Sequence, residues 1–337
     1  MSHRSYSFII PVYNRPDEIG ELLDSLTALS GDIPFEVVIV EDGSTESSET
    51  VVQSFQSKLG ISYYSKENSG PGDSRNFGMR KAKGNYFLIF DSDCLLPLQY
   101  LQTVDAVLEK NEVDCFGGPD AAHSSFSNLQ KAINFAMTSV ITTGGIRGKK
   151  MDSKKFQPRS FNMGISKKAF EASGGFGKIH PGEDPDLAIR LKKLGFQIAL
   201  IEEAFVYHKR RVSWQKFYQQ VNKFGQVRPI LNKWHPETSR LIYWLPTLFI
   251  TGFLLSLIGL SINFYWLAVL YASYFVLAFI MALVETKSLS VATQSLVAIA
   301  IQFYGYGVGF LKSFIYIHLL NRNPQKQFPR LFFKNAE

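Results

Sequence analysis

The chain has 337 residues, 46% of them hydrophobic and 14% aromatic, with a formal net charge of +7. That length exceeds an ordinary single domain, and no internal repeat or low-complexity tract interrupts it. Two cysteines, Cys94 and Cys115, exclude a disulfide framework and fit a reducing compartment.

The N-terminal run Ser7-Phe-Ile-Ile-Pro11-Val12-Tyr13-Asn14-Arg15 reads as a strand entering a polar turn. It begins so early that no signal peptide is expected. Ile19, Leu22, Leu23, Leu26 and Leu29 follow at helical spacing. Phe35 to Val40 is a second buried strand that ends in Glu41-Asp42-Gly43-Ser44, and Ile61 to Tyr64 is a shorter third. Pro71 to Lys83 reads as a helix, broken by Gly84. The run Tyr86-Phe-Leu-Ile-Phe-Asp91-Ser92-Asp93 then reads as a buried strand ending in two carboxylates. At spacing i, i+2 on a strand both would face one way and repel unless a cation lay between them. Hard ions such as Mg²⁺ or Mn²⁺ take oxygen ligands and are often shared with phosphates. Asp-Ser-Asp also makes good turns.

Strands and helices alternate with short connections, which implies right-handed crossovers and a mostly parallel α/β sheet. Ligands bind such sheets beyond the carboxyl ends of the strands, and Asn14, Asp42, Asp91 and Asp93 all lie there.

Four segments in order resemble family 2 glycosyltransferases of the GT-A fold. They are Pro11 to Arg15, Glu41 to Ser44, Gly84 to Asp93, and Gly182-Glu183-Asp184-Pro185-Asp186-Leu187. The resemblance covers about residues 5–210. It implies inverting transfer of a sugar from a nucleotide-diphosphate donor, most often a UDP-sugar, with Mg²⁺ or Mn²⁺ bound.

It also implies roles. Pro11, Tyr13 and Asn14 belong to the donor-binding motif. Asp42 matches a carboxylate that contacts the donor base, although a turn or helix-cap Asp would read the same. Arg75 matches an arginine beside the nucleotide, where a guanidinium suits ribose or phosphate, although a solvated helix arginine would also fit. Asp93 matches the direct metal ligand, and Asp91 lies nearer the ribose and the metal waters. His208, after another strand, reaches the metal or diphosphate in some relatives; a structural histidine would read the same. Asp184 matches the catalytic base, which takes the proton of the attacking acceptor hydroxyl. Acidic residues also favour a helix N-terminus, so both readings can hold together. Glu183 and Asn162 fall on the acceptor side; either could instead hold a loop or cap a turn.

Pro119 to Lys155, with Gly144, Gly145, Arg147, Lys149 and Lys150, is long and polar for a connector and suggests a mobile binding loop. From Lys209 to Arg240 there are eight Lys/Arg and one Glu. Trp214, Phe217, Tyr218, Val221 and Phe224 share one helical face there, the pattern of a helix lying on anionic lipid. Leu241 to Val284 holds 44 residues without Asp, Glu, Lys, Arg or His, enough for two spans with a turn at Ser261 to Asn263. Ser288 to Leu311, with Gln294, Gln302, Gly305, Gly307 and Gly309, reads as a third span or a buried helix.

The expected plan is a transferase domain over 1–210, a basic amphipathic segment over 211–240, a membrane region over 241–320 and a basic tail over 321–337. The basic residues cluster beside apolar spans, which favours membrane lipid over nucleic acid as the partner. By the positive-inside rule the transferase part would face the cytoplasm at the cell inner membrane. The basic tail also prefers that side, which three full spans would not allow. The acceptor expected is a lipid-linked sugar or glycan. A processive synthase is a weaker reading, because no Gln-x-x-Arg-Trp motif is present. A polyprenyl-phosphate sugar synthase would share the layout, and a non-catalytic nucleotide-sugar-binding scaffold would share the fold. A hydrolase could use paired carboxylates but needs no nucleotide site.

Overall fold

The structure is a computed structural model that describes residues 4–121, 126–143, 156–208 and 213–333. It divides into two compact units. One holds residues 1–123, 152–209 and 332–337, and the other holds residues 124–151 and 210–331.

The first unit opens with β1 (Tyr6–Val12), α1 (Pro16–Thr27), β2 (Phe35–Asp42), α2 (Glu49–Gln53), β3 (Ile61–Lys66), α3 (Pro71–Lys81) and β4 (Tyr86–Phe90). β1 lies between β2 and β4 and parallel to both, and β3 extends the parallel set beyond β2. This is the expected mostly parallel α/β order. Every residue of β4 is buried, because the sheet is covered on both faces and its strands need apolar side chains all along. Alternation sends Phe8 and Ile10 of β1 into a core with Leu22, Leu23 and Phe90, while Ile9 joins Val38, Met79 and Phe87 on the other side.

Beyond β4 the chain adds β5 (Cys94–Leu95), α4 (Tyr100–Lys110), β6 (Cys115–Gly117) and β7 (Asp120–Ala121). Helices α5 (Asn128–Thr138) and α6 (Val140–Thr143) belong to the second unit. The first unit resumes with β8 (Asn162–Ser166), α7 (Lys167–Ser173), α8 (Glu183–Lys193), β9 (Ile198–Leu200) and β10 (Val206–His208). The main sheet runs β3-β2-β1-β4-β8-β6-β9, with β8 antiparallel to β4 and β6. A small sheet runs β5-β10-β7 and sets His208 opposite Cys94. β1, β2 and β4 thus end on one rim, where residues 13–15, 42–44 and 91–93 meet.

The second unit is helical. It contains α5 and α6, then α9 (Trp214–Trp234), α10 (Leu245–Ser261), α11 (Trp266–Thr286) and α12 (Leu289–Phe314). Three helical stretches, Leu241–Ser261, Trp266–Thr286 and Leu289–Leu319, are long and apolar enough to cross a membrane. Leu254, Leu255, Leu257 and Ile258 on α10 are exposed, as are Leu270, Val276 and Leu277 on α11. Helices this apolar all round need a hydrocarbon solvent rather than water. The chain turns after Ser261, where Asn263 takes a left-handed conformation.

Part of the apolar face of α9 is covered by α12: Phe217 and Val221 are buried, in one cluster with Ala298, Ile299 and Phe303 of that helix. Small residues allow this contact. A Cβ on Gly225 would collide with the Tyr306 carbonyl oxygen, and one on Gly305 would meet Val221 Cγ2 at 2.6 Å. The connector between Pro119 and Lys155 is not structureless, since α5 occupies part of it behind a capping box of Ser127 and Gln130. Helix α5 packs Ile133, Phe135 and Ala136 into the helical unit, although it lies within the 1–210 span expected of the transferase part. Gly144, Gly145, Arg147, Lys149 and Lys150 lie outside the described residues.

Candidate active site

The rim is held by ion pairs. β4 ends at Phe90, so Asp91 and Asp93 sit past it, in a turn closed by the Cys94 amide on the Asp91 carbonyl at 3.2 Å. The strand alternation expected to align them therefore stops one residue short. Each carboxylate has its own guanidinium. Arg75 Nη2 donates to Asp91 Oδ1 at 2.6 Å, and Arg15 Nη1 donates to Asp93 Oδ2 at 2.6 Å.

Arg75 is buried on α3 and also reaches Glu183 Oε1 at 3.3 Å, with its guanidinium 5.3 Å from the centre of the Phe176 ring. Burial opposes its charge, but Asp91, Glu183 and Asp184 outweigh that, so Arg75 stays protonated. Its position makes it a buried brace between the two acidic motifs. Both of its paired nitrogens point to protein carboxylates, Asp91 and Glu183.

Glu183 and Asp184 open α8, whose first turn also carries Asp186. Acids there are favoured by the helix dipole. Asp186 is engaged within the helix, accepting from Arg190 Nε at 2.9 Å. His180 Nδ1 lies 2.7 Å from Glu183 Oε1. Burial works against the Glu183 charge, but His180 and Arg75 overcome it and hold the carboxyl well below its usual range. Asp184 behaves in the opposite way. Burial, then the neighbouring Glu183 charge, push its carboxyl up to about 6. Arg75, the Ser160 backbone and Arg159 pull it down without cancelling the rise. Asp184 Oδ1 is buried and takes no hydrogen bond among the described residues. Two adjacent carboxylates are thus driven apart in basicity, the arrangement that separates an ionic anchor from a proton acceptor.

At the β2 end, Asp42 is buried and turned inward. Its Oδ1 accepts from Lys66 Nζ at 2.7 Å and from the Ser69 amide at 3.0 Å, and its Oδ2 accepts from the Gly70 amide at 2.9 Å. The carboxylate expected to face a donor base here organises the loop between β3 and α3. Asn14, with φ of 52°, ties the ends of β1 and β2 together: its Oδ1 accepts from the Thr45 amide at 2.8 Å and the Glu46 amide at 3.1 Å. Pro11 lies within β1 opposite Val40, and Tyr13 beyond it is 51% exposed at the rim.

His208 and Asp93 converge. His208 Nε2 lies 3.2 Å from Asp93 Oδ1, and its ring stacks on Phe161 at 4.6 Å. Asp93, Cys94 and His208 could offer ligand atoms within 4.8 Å of one another. Cys94 does not fit that role. Burial, then Asp93 and Asp91, raise its thiol well above the usual range, and its Sγ bonds the Phe161 carbonyl at 3.3 Å. The usable pair is one carboxylate oxygen and one imidazole nitrogen, a donor set that fits a divalent transition ion such as Mn²⁺ better than the oxygen-seeking Mg²⁺.

Asn162 is engaged inside the protein. It is fully buried where β8 begins, accepting from the Tyr100 hydroxyl at 2.6 Å and donating to the Ala204 carbonyl at 2.7 Å. These bonds tie β8 to α4 and to the Ala204 backbone. Three residues of the site carry no role that the motifs suggest: Arg15, Lys66 and His180. Arg15 closes a recognisable motif, and His180 stands i, i+3 from Glu183. Lys66 has no local signal, since Asp42 is 24 residues away in the chain.

Residues 7–174 match the family model described as Glycosyl transferase family 2. Over 114 residues the chain is 34% identical to the poly(ribitol-phosphate) beta-N-acetylglucosaminyltransferase TarS of Staphylococcus aureus, covering 32% of this chain and 20% of that one. Over 235 residues it is 26% identical to chondroitin synthase of Escherichia coli, covering 60% of this chain and 34% of the relative. It therefore spans only a fifth to a third of these relatives. The mannosyltransferase PcManGT from Pyrobaculum calidifontis, solved with GDP-Man and Mn²⁺, superposes with a TM-score of 0.62 at 17% identity, covering 89% of this chain and 87% of that one. At that identity the likeness establishes the fold alone, a GT-A α/β domain followed by long apolar helices.

Proposed function

The chain belongs to glycosyl transferase family 2, and we propose that it moves a sugar, with inversion, from a nucleotide-diphosphate sugar to an acceptor hydroxyl. The observation that carries this reading is the meeting of two acidic motifs through Arg75, which leaves Asp184 as the more basic carboxylate with a bare oxygen. Asp184 takes the proton of the acceptor hydroxyl as it attacks the anomeric carbon, and a carboxyl near 6 is matched to that task at neutral pH. Glu183 stays ionised and holds the mouth of α8 against Arg75 and His180.

Asp93 and His208 would hold Mg²⁺ or Mn²⁺. When bound, the ion supplies positive charge against the departing diphosphate. Arg15, on the other oxygen of Asp93, orients that carboxylate. Tyr13, exposed at the rim, would cover the base, and a UDP-sugar is the donor we favour. TarS is named an N-acetylglucosaminyltransferase and the Pyrobaculum enzyme was solved with GDP-Man, so donor choice varies among similar proteins.

The apolar helices and the cluster of Lys and Arg before them support a lipid-linked or glycan acceptor, with the transferase unit on the cytoplasmic side of the inner membrane. The test is release of nucleoside diphosphate by the detergent-solubilised chain with UDP-, GDP- and dTDP-sugars, Mn²⁺ and a membrane lipid extract. Metal-dependent release with one donor, lost in Asp184→Asn, supports the reading. Binding of a nucleotide sugar without any product overturns it in favour of a non-catalytic scaffold.

A further inference from the structure

A short segment far from the motifs completes the transferase unit. Phe332 forms an isolated antiparallel bridge with Ile179, and the Phe333 amide donates to the Lys178 carbonyl at 3.2 Å. The Phe333 ring lies against Gly70, so close that a Cβ there would collide with its Cδ2. The same ring is 5.8 Å from the His180 ring, centre to centre.

Both neighbours of Phe333 lead to the site. Gly70, at a φ of 94°, gives its amide to Asp42, and His180 sits on Glu183. Gly72, two residues on, would bring a Cβ within 3.1 Å of the Gly177 carbonyl oxygen, so the loop before α3 and the loop before α8 already touch. One aromatic ring therefore rests on both loops at once. Residues 178–180 form no regular element of their own, and Phe332 and Phe333 supply them with a strand partner.

We propose that Phe333, seated by Phe332, is a positioning residue of the transfer reaction: it holds His180 on Glu183 and so fixes the start of α8 that carries Asp184. Gly70 belongs to this device, because any side chain there would occupy the place of the ring. The inference rests on the reading of Asp184 as the base. A loop that shifts by an ångström would misplace the base while leaving the donor contacts at Asp91 and Asp93 intact. The loss should therefore fall on turnover more than on donor binding.

The experiment uses the full chain in detergent and compares wild type, Phe333→Ala, Phe333→Tyr and Gly70→Val. Amide hydrogen exchange is read over residues 176–184, and nucleoside diphosphate release is measured with the active donor. Phe333→Ala should speed exchange over 176–184 but not in β1 or α12. Its kcat should fall by about 10- to 100-fold while the donor KM moves by less than about threefold. Phe333→Tyr keeps the ring and should restore both measurements, and Gly70→Val should repeat the alanine result. Unchanged exchange in Phe333→Ala overturns the proposal, as does a loss confined to KM. Should the wild type release nothing with any donor, the transfer reading fails, and the exchange arm alone decides whether the ring orders the loop.

Discussion

Arg75 Nη1 lies 3.3 Å from Glu183 Oε1, joining two residues 108 positions apart inside the protein. The same guanidinium holds Asp91 at 2.6 Å, so one cation ties the β4 turn to the start of α8. Removing it would leave Glu183 a buried charge with His180 as its remaining side-chain partner among the described residues. Arg75→Ala should lower stability by about 3–5 kcal/mol, the usual cost of breaking a buried pair from one side. Thermal unfolding followed by far-ultraviolet circular dichroism checks this, since all four tryptophans lie in the second unit. Retention of the wild-type midpoint would mean that the brace carries no load.

The acid limb of the pH profile reports Asp184. A base works when deprotonated, so kcat/KM should fall with unit slope as pH drops through about 6 and level off above it. Glu183→Gln removes one of the causes of the raised value and should move that limb to lower pH. Initial rates between pH 5 and 8 at subsaturating donor measure both, and a limb that stays in place in Glu183→Gln contradicts the electrostatic account.

Metal affinity should depend on the Asp93 and His208 pair. Asp93→Ala and His208→Ala should each weaken Mn²⁺ binding by at least the 10- to 100-fold that even outer-sphere changes cost. Cys94→Ser should leave it near the wild-type value, since the thiol is neutral and bonded to Phe161. Calorimetric titration of Mn²⁺ in the presence of UDP separates these variants.

Asn162→Ala should reduce stability without changing donor preference. It leaves the Tyr100 hydroxyl and the Ala204 carbonyl unpaired in a dry interior, at about 1–3 kcal/mol for each group. Denaturation midpoints together with a donor panel test this. A change in donor or acceptor choice at unaltered stability would return Asn162 to the site.

Gly225→Leu should loosen α9 from α12. Its first side-chain carbon would already collide with the Tyr306 carbonyl, and overpacking of this kind costs about 1–3 kcal/mol. Gly60→Ala, where an added Cβ meets nothing within 4 Å, is the matched control. Thermal melts in detergent should show a drop only for the first.

Much of the fold is legible along the chain. The runs Phe35–Val40 and Tyr86–Phe90 announce buried parallel strands because both sheet faces are covered, and β2 and β4 contain them. The apolar stretches after Leu241 announce themselves by length, since a bilayer fixes how many residues a span needs. The polar strand ends at Asn14, Asp42 and Asp91 mark a rim because parallel crossovers bring carboxyl ends together. Composition, period and strand-end chemistry are local properties, and the sequence alone determined them.

Partner choice is not local, and the tertiary structure decided it. Arg15 meets Asp93 and Arg75 meets Glu183 only because β4 lies beside β1 and α8 returns to α3. The amphipathic face of α9 reads the same whether lipid or a helix covers it; glycines on α12, some 80 residues later, settle the matter. Asn162 reads as an acceptor-side or turn-capping residue until β8 is threaded between β4 and β6. A side chain's type says which contacts it can make. Burial in the folded chain selects which of them is made, because a polar group left unpaired in the interior loses its water without any replacement.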